Sequence, residues 1–566
     1  AYGFFSLTLP KGKYTFICNS LGYNTITDTI ELVKNITKNI SLEPQGKELD
    51  EVEVKAEKTD DNIQSSQMSS VQLDIMQIKK LPAFMGEVDI LKTIQLIPGV
   101  KSAGDGNSGF YVRGGGPDQN LILLDEATIY NASHLMGFFS VFNGDAIKNV
   151  NLIKGGMPAQ YGGRLSSVLD ISMKEGNSKK VQVDGGIGVI ASRLTIQGPI
   201  KKDKASFIIS GRRTYIDILS KPFFTAGSAF AGTSYYFYDV NAKLNWQISS
   251  KDRLYLSGYF GRDVFKFKDA SSGFGADVLW GNATACLRWN HLFNSKLFSN
   301  ATISYTNYDF SFTASQSNFE LKLVSGIKDW NAKYDLTYMP NPRHTVKGGI
   351  NYIYHTFTPS NVSAKQGENN FDFGKVVKLY AHDAAIYISD DWEITQRLKV
   401  NAGLRFGYFA QIGPFTRYVK NQFGKTSDTI VYSSGKKVAD YNGLEPRLSL
   451  RYSLTKSMSV KASYTRNYQY IHLASISSVS LPTDVWMPCT DLIKPQVANQ
   501  YVLGLFKNFK QDMFETSVEV YYKTMANQID YKEGAQPQDN VFDNPDNAFT
   551  YGKGEAYGAE FFVKKR

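Results

Sequence analysis

An alternation of period two runs almost unbroken from about residue 180 to residue 566, and it dictates extended chain with two unlike faces. Over 399–409, Val400, Ala402, Leu404, Phe406 and Tyr408 share one face, while Lys399, Asn401, Gly403, Arg405 and Gly407 share the other. Over 331–338, Ala332, Tyr334, Leu336 and Tyr338 oppose Asn331, Lys333, Asp335 and Thr337. Val460, Ala462 and Tyr464 repeat the pattern, as do Val518, Val520 and Tyr522. Helical spacing is almost absent here. We count about sixteen such strands, the last near 561–565.

The connections alternate in length. Short turns fall at 201–204, 249–252, 293–296, 340–342, 395–397, 455–457 and 508–511. Between them lie longer stretches at 216–234, 266–277, 358–373, 413–440, 471–495 and 528–548, with a shorter one near 313–318. A soluble sandwich has no reason to gather its long loops at one end. A barrel in an outer membrane does, with short turns toward the periplasm and long loops outside. In lipid every backbone donor and acceptor must be paired within the protein, so the sheet must close on itself. Only alternate residues then need be apolar, which reconciles a membrane position with a mean hydropathy of −0.29. The 34 tyrosines suit interfacial girdles. A propeller or stacked soluble sandwiches would show a repeat of about 40 residues, and the sequence has none. A barrel this large has a lumen too wide for its own side chains, so another part of the chain must fill it.

Four regions follow. Residues 1–45 read as a small, partial β-sandwich: Phe5, Leu7 and Leu9 alternate, Pro10-Lys11-Gly12 turns the chain, and Tyr14, Phe16 and Cys18 resume the period. Further strands are expected at 25–32 and 36–42. Residues 46–62 form a charged linker. Residues 63–175 read as a compact α+β domain. There Met68, Val71, Ile75 and Ile78 recur at helical spacing, as do Val88, Leu91 and Ile94, before Pro98-Gly99 stops the helix. Short strands are expected near 110–113, 121–124 and 150–153, with glycine turns between them. Residues 176–566 are the barrel. The chain opens without Met or a signal segment and ends on a strand, so a fragment at both ends is expected.

Composition excludes several classes. A 42% hydrophobic content is not that of a disordered chain. Cys18, Cys286 and Cys489 lie too far apart for a disulfide scaffold or a cysteine zinc site. No run of 18 apolar residues offers a transmembrane helix. The net charge of +10 is spread along the chain, which does not point to nucleic acid. His134, His291, His344, His355, His382 and His472 show no ligand spacing. No nucleophilic triad or carboxylate pair stands out, so neither an enzyme nor a cofactor is expected.

Several runs carry a family likeness. Tyr111-Val112-Arg113-Gly114-Gly115-Gly116-Pro117-Asp118-Gln119-Asn120 with Leu121 to Asp125, Leu96-Ile97-Pro98-Gly99-Val100, and Ile153-Lys154-Gly155-Gly156-Met157-Pro158 through Ser167 resemble the plug of TonB-dependent outer-membrane receptors. Glu445-Pro446-Arg447, Asn401-Ala402-Gly403-Leu404-Arg405 and Tyr557-Gly558-Ala559-Glu560 are similar to that family's strand motifs. Gly3 to Leu7 with Pro10 to Tyr14 resembles a carboxypeptidase regulatory-like domain, fused to such receptors mainly in the Bacteroidota. The resemblance implies a mainly β fold: an antiparallel transmembrane barrel of 22 strands, of which about 16 are present here, around an internal plug. It implies uptake of an extracellular ligand (a siderophore, an oligosaccharide or similar) across the Gram-negative outer membrane. The work is done by a TonB complex that pulls on the plug. SusC-type importers carry Glu-Val-Val-Val and Gly-Tyr-Gly segments. Here Glu51-Val52-Glu53-Val54-Lys55 stands instead, with no Gly-Tyr-Gly, which gives no support to a SusD-type lipoprotein partner.

Each candidate residue has two readings. Glu51, Val52, Glu53, Val54 and Lys55 are a Ton box that adds as a strand to TonB, or a linker strand. Arg113 and Arg164, beside glycine clusters, are expected to face barrel-wall carboxylates, or to make ordinary surface pairs. Tyr130, Asn131, Ser133 and His134 form a ligand-facing plug apex, or a packed loop. Gly114–Gly116 lacks the Lys-Ser/Thr and βαβ context of a phosphate loop, so tight plug turns explain it better. Rival functions are a passive or secretory barrel, and a soluble β-rich adhesin or carbohydrate-binding protein.

Overall fold

In the computed structural model the alternating segment becomes one antiparallel sheet of 17 strands in sequence order, from Gln182–Ile187 to Phe549–Lys565. Sixteen follow one another around the sheet, the first of six residues and the others of 10 to 23. The seventeenth, Asn369–Phe371, folds back onto His344–Gln366. Among the described residues the first and last strands do not pair with each other. The structure describes residues 7, 9–18, 25–40, 42, 61–80, 87–104, 109–223, 232–269, 272–371, 377–475, 484–535 and 544–565. All seven short turns stand where the sequence puts them, for example between Gln247 and Asp252 and between Thr455 and Met458. The loops opposite carry their own hairpins, Phe415–Lys420 with Thr426–Tyr432 and Ile471–Ala474 with Val485–Pro488. Phe319–Asn341 has 23 residues, against the 9–11 that a tilted strand needs to cross hydrocarbon.

The pleat inverts the usual burial rule. Ile386 and Leu404 are 58% and 43% exposed on the outer face, while Arg405 and Lys461 are 5% and 2% exposed on the inner one. Water would penalise the first pair and lipid the second, so the surface suits a bilayer outside and a polar filling inside. Trp246, Trp289 and Trp392 project outward beside the short turns, as an interfacial girdle requires.

The filling is the α+β region. Its five-stranded sheet has the order Ser70–Asp74, Ile147–Ile153, Ser167–Met173, Asn120–Leu124, Ala127–Thr128, with the third and fourth strands parallel. Ile90, Leu91, Ile94, Val112, Val150, Leu152, Leu169 and Ile171 form its dry core. The helix Ile90–Ile94 is capped by Asp89, whose carboxylate accepts from Lys92 N–H at 3.0 Å. One expectation is corrected here. The helical spacing at 68–78 yields a strand, Ser70–Asp74, followed by a single turn, Ile75–Ile78. The strand wins because it pairs the edge of Ile147–Ile153, whose backbone would otherwise lie unbonded inside the lumen. At the N-terminus Gly12–Cys18 and Ile26–Leu32 form an antiparallel hairpin. The strand expected at 36–42 is not formed over its described residues.

Candidate functional site

The plug meets the wall at four levels. At the periplasmic end, residues 61–69 run along the barrel rim. Asn62 Nδ2 donates to Asn508 Oδ1 at 2.8 Å, Ser66 Oγ to Asp391 at 2.5 Å, and Lys461 Nζ to the Gln67 carbonyl at 3.0 Å. Ile63 and Met68 pack against Val502 and Phe506. A polar cavity of about 450 Å³ opens beside them, lined in part by Gln67, Ser69, Lys154, Glu519 and Glu560. The Ton-box residues Glu51, Val52, Glu53, Val54 and Lys55 lie outside the described residues.

Above the rim sits a buried charge cluster. Arg113 Nε and Nη2 donate to the two Glu560 oxygens at 2.8 and 3.0 Å, and Nη2 reaches Glu519 at 3.1 Å. Lys154 Nζ joins Glu560 at 2.6 Å, and Ser69 donates to Glu519. The Tyr521 ring lies 4.9 Å from the guanidinium. Arg113 reaches this position from left-handed backbone, φ +46°. The chain before it bends at Gly99, φ +78°, where a Cβ would strike the Glu560 carboxylate. Burial works to lower the Arg113 pKa, but the bonds to Glu560 and Glu519 outweigh it and hold it above its ordinary value. Lys154, with one carboxylate and a neighbouring arginine, is pulled below its ordinary value by burial.

Further pairs ring the plug at mid-height. Lys243 bonds Asp125 at 2.8 Å and Lys333 bonds Glu126 at 3.0 Å. Arg447 Nη1 donates to the carbonyls of Pro158 and Tyr161 at 2.5 and 2.6 Å.

The top of the plug departs from expectation. His134 is 1% exposed and stacks on Phe237 at 4.2 Å. Its Nδ1 lies 2.5 Å from Asp263 and its Nε2 3.5 Å from Asp239, both on the wall. Tyr130 donates to wall Asp329, Asn131 Nδ2 lies 3.4 Å from the Tyr308 hydroxyl, and Ser133 bonds Asn131. His134 is therefore a wall contact rather than a group presented to the vestibule. Burial alone would lower its pKa, but the two carboxylates raise it.

Arg164 also departs from its expected role. It is 5% exposed but among the described residues reaches no wall carboxylate, donating to its neighbour Gly163 O at 2.8 Å. Its guanidinium lies 5.4 Å from the Trp486 ring of a loop hairpin. Arg113 alone of the two meets the expected carboxylates. Local reading missed Lys154, Lys243, Lys333, Glu519, Asp239 and Asp263. The signal was there in part, since the wall residues among them occupy the inward positions of an alternating strand.

Among the described residues no group of three or more His, Cys, Asp or Glu side chains could hold a metal ion. The arrangement is a wide transmembrane barrel occluded by a domain held through polar contacts, which defines a plugged outer-membrane receptor. The comparisons agree. The family model for the TonB dependent receptor-like β-barrel matches residues 212–564, and that for the TonB-dependent receptor plug domain matches 64–167. The chain belongs to the TonB-dependent receptors, transporters of the Gram-negative outer membrane and not enzymes.

No curated protein matches the chain. Solved structures do share its fold. The siderophore receptor PirA from Pseudomonas aeruginosa is 14% identical, with 88% of this chain and 81% of that one covered at a TM-score of 0.58. The copper transporter OprC is 12% identical, with 88% and 78% covered at 0.64. A double mutant of the Serratia marcescens hemophore receptor HasR, in complex with hemophore HasA and heme, is 12% identical, with 89% and 80% covered at 0.59.

Proposed function

We propose that this chain imports an extracellular ligand across the outer membrane when a TonB complex pulls on Glu51–Lys55. The observation that carries this reading is the polar seam at the plug's N-terminal end. A pull applied ahead of residue 61 meets Asn62, Ser66 and Gln67 first, then the Ser69–Glu519 contact, then the edge strand Ser70–Asp74. Water can replace these bonds one at a time, so the plug can shift without exposing its dry core. A passive pore has no use for a domain that fills its lumen. The N-terminal hairpin supports a further reading, that of a carboxypeptidase regulatory-like domain on a Bacteroidota-type receptor. The neighbours include receptors for a siderophore and a hemophore and a copper transporter, so one fold serves unlike cargoes. The cargo here is set by this chain's own vestibule.

The test is capture of the full chain by a purified periplasmic domain of TonB, with and without residues 51–55. Capture is expected from the intact chain and not from the deletion. Equal capture by both would overturn the assignment of the Ton box.

A further inference from the structure

The outer face of the barrel is not filled evenly. Across the five strands from Leu297–Gln316 to Leu398–Ile412, register lines the outward side chains into rows. One row sets Ala332 and Ala384 on either side of Tyr352, and the row beneath it includes Ala301, Tyr334 and Ile386. The three alanines stand among much larger side chains, and they leave an apolar cavity of about 570 Å³ on the lipid side.

Aromatic belts fix the height of this cavity. The row above it holds Tyr305, Trp330, Tyr354 and His382. The rings of Tyr305 and Trp330 lie 4.8 Å apart, those of Tyr354 and His382 5.4 Å apart, and the Tyr352 hydroxyl lies 2.7 Å from His382 Nδ1. Trp392 marks the lower belt on the same strand as His382, ten residues away. At about 3.3 Å per residue and a tilt of about 45°, that distance climbs roughly 23 Å, the height of a barrel's apolar band. The alanine rows lie just below the upper belt, so the cavity opens into the hydrocarbon of the leaflet nearer the long loops.

Above the upper belt the outward face is basic. Lys328 stands in the next row, beside Asn307 and Thr356. Lys378 is exposed immediately before the strand Leu379–Glu393. Among the described residues neither lysine has an ion-pair partner, and Asp309, diagonal to Lys328, is held by Arg262. The two lysines flank the strand His344–Gln366, a separation of about 10 Å that two lysine side chains can close around one phosphate. A second copy of the chain, related by an axis along the membrane normal, would meet this face at its own height and set lysine against lysine.

We propose that the cavity seats one acyl chain of an anionic lipid of the outer leaflet, whose phosphate is held by Lys328 and Lys378. The alkyl chain fills the space over the alanines, and the belt of Trp330, Tyr354 and His382 lies at the level where chain gives way to headgroup. The proposal needs a bilayer around the sheet and is independent of the uptake reading.

The test reads Trp330, 58% exposed and on the same strand as Ala332. The full chain, with its other five tryptophans replaced by phenylalanine, is folded into phosphatidylcholine vesicles. These contain a fixed fraction of either phosphatidylglycerol or phosphatidylcholine with brominated acyl chains, and bromine quenches an indole on contact. Heat-modifiable migration checks that each variant folds. Quenching should report phosphatidylglycerol enriched about fivefold beside Trp330. A chain that keeps only Trp246, in the lower belt, should report the bulk fraction. Lys328→Gln with Lys378→Gln should return Trp330 to the bulk fraction. Ala332→Leu with Ala384→Leu, which fills the cavity, should do the same with both lysines in place. Equal quenching by the two lipids at Trp330, enrichment that survives either double substitution, or equal enrichment at Trp246 overturns the proposal. Quenching by neither lipid means that another protein surface covers this face, and overturns it as well.

Discussion

The inner face of the barrel is two surfaces made by one sheet. Its lower part presents charges to the plug: Lys243 to Asp125, Lys333 to Glu126, Arg447 to plug carbonyls, and Glu519 and Glu560 to Arg113. Its upper part adds rings to the carboxylates that hold Tyr130 and His134, with Phe237, Phe310, Phe357 and Phe409 closing around a loop hairpin. The difference teaches what each part has to release. Hydrogen bonds in the lower collar can be exchanged for water with modest net loss. Apolar contact in the upper chamber is worth roughly 25 cal/mol per Å², and it is regained only when another apolar body takes the hairpin's place. The lower surface suits a domain that must come away, and the upper one suits a surface that waits for cargo.

The largest expected effect lies in the lower collar. Arg113→Ala leaves Glu519 and Glu560 facing each other with only Lys154 between them. Breaking a buried pair from one side costs about 3–5 kcal/mol. Amides of Ser70–Asp74 and Phe110–Val112 should exchange hydrogen much faster in the folded barrel, and Arg113→Lys should recover part of the protection. Unchanged exchange would show that the charge cluster does not hold the plug. Next comes the outer face. Leu404→Arg, mid-strand and paired beside Ile388, places a cation in lipid at about 2–4 kcal/mol. Folding yield into lipid vesicles should fall. A soluble protein would tolerate the same exchange, so an unaffected yield would argue against a bilayer around this sheet.

How far the sequence led follows from the range over which each feature is encoded. Period two is local, and so the strands and all seven short turns were legible. Arg113 was legible through its glycine-rich setting. The plug strand Ser167–Met173 was not, because it is buried on nearly every side and shows no clean alternation. Glu519 and Glu560 stand some four hundred residues from Arg113, and Asp239 and Asp263 over a hundred from His134, so no local window contains either site. The same distance explains why His134 read as an apex residue: the carboxylates that turn it toward the wall belong to strands not yet met. The spacing at 68–78 misled because a free sheet edge decided between helix and strand.

The remaining predictions concern the upper end of the plug and have smaller effects. His134, between Asp239 and Asp263, has its pKa raised by them. A raised pKa means that protonation favours the docked plug. This stabilisation is full below the ordinary histidine value of about 6.5 and is lost as pH climbs through the raised one. Backbone exchange at 133–137, corrected for its intrinsic pH dependence, should therefore show protection falling on the alkaline side of neutrality. His134→Asn should flatten that dependence, and protection that rises with pH would reverse the assignment.

Arg164→Ala should do least. The side chain gives up one hydrogen bond to its neighbour's carbonyl and its contact with Trp486, worth about 0.5–1 kcal/mol for an exposed cation–π pair and about 2 when desolvated. The loss falls on the hairpin, not on the plug. Exchange at Ser70–Asp74 should stay as in the parent chain, while Trp486 emission, read in a chain whose other five tryptophans are replaced by phenylalanine, should shift as the indole loosens. If Arg164→Ala instead freed the plug as Arg113→Ala is expected to, the division of the inner wall into a gripping collar and a receiving chamber would fail. The two arginines, alike in their glycine-rich settings, would then be doing one job.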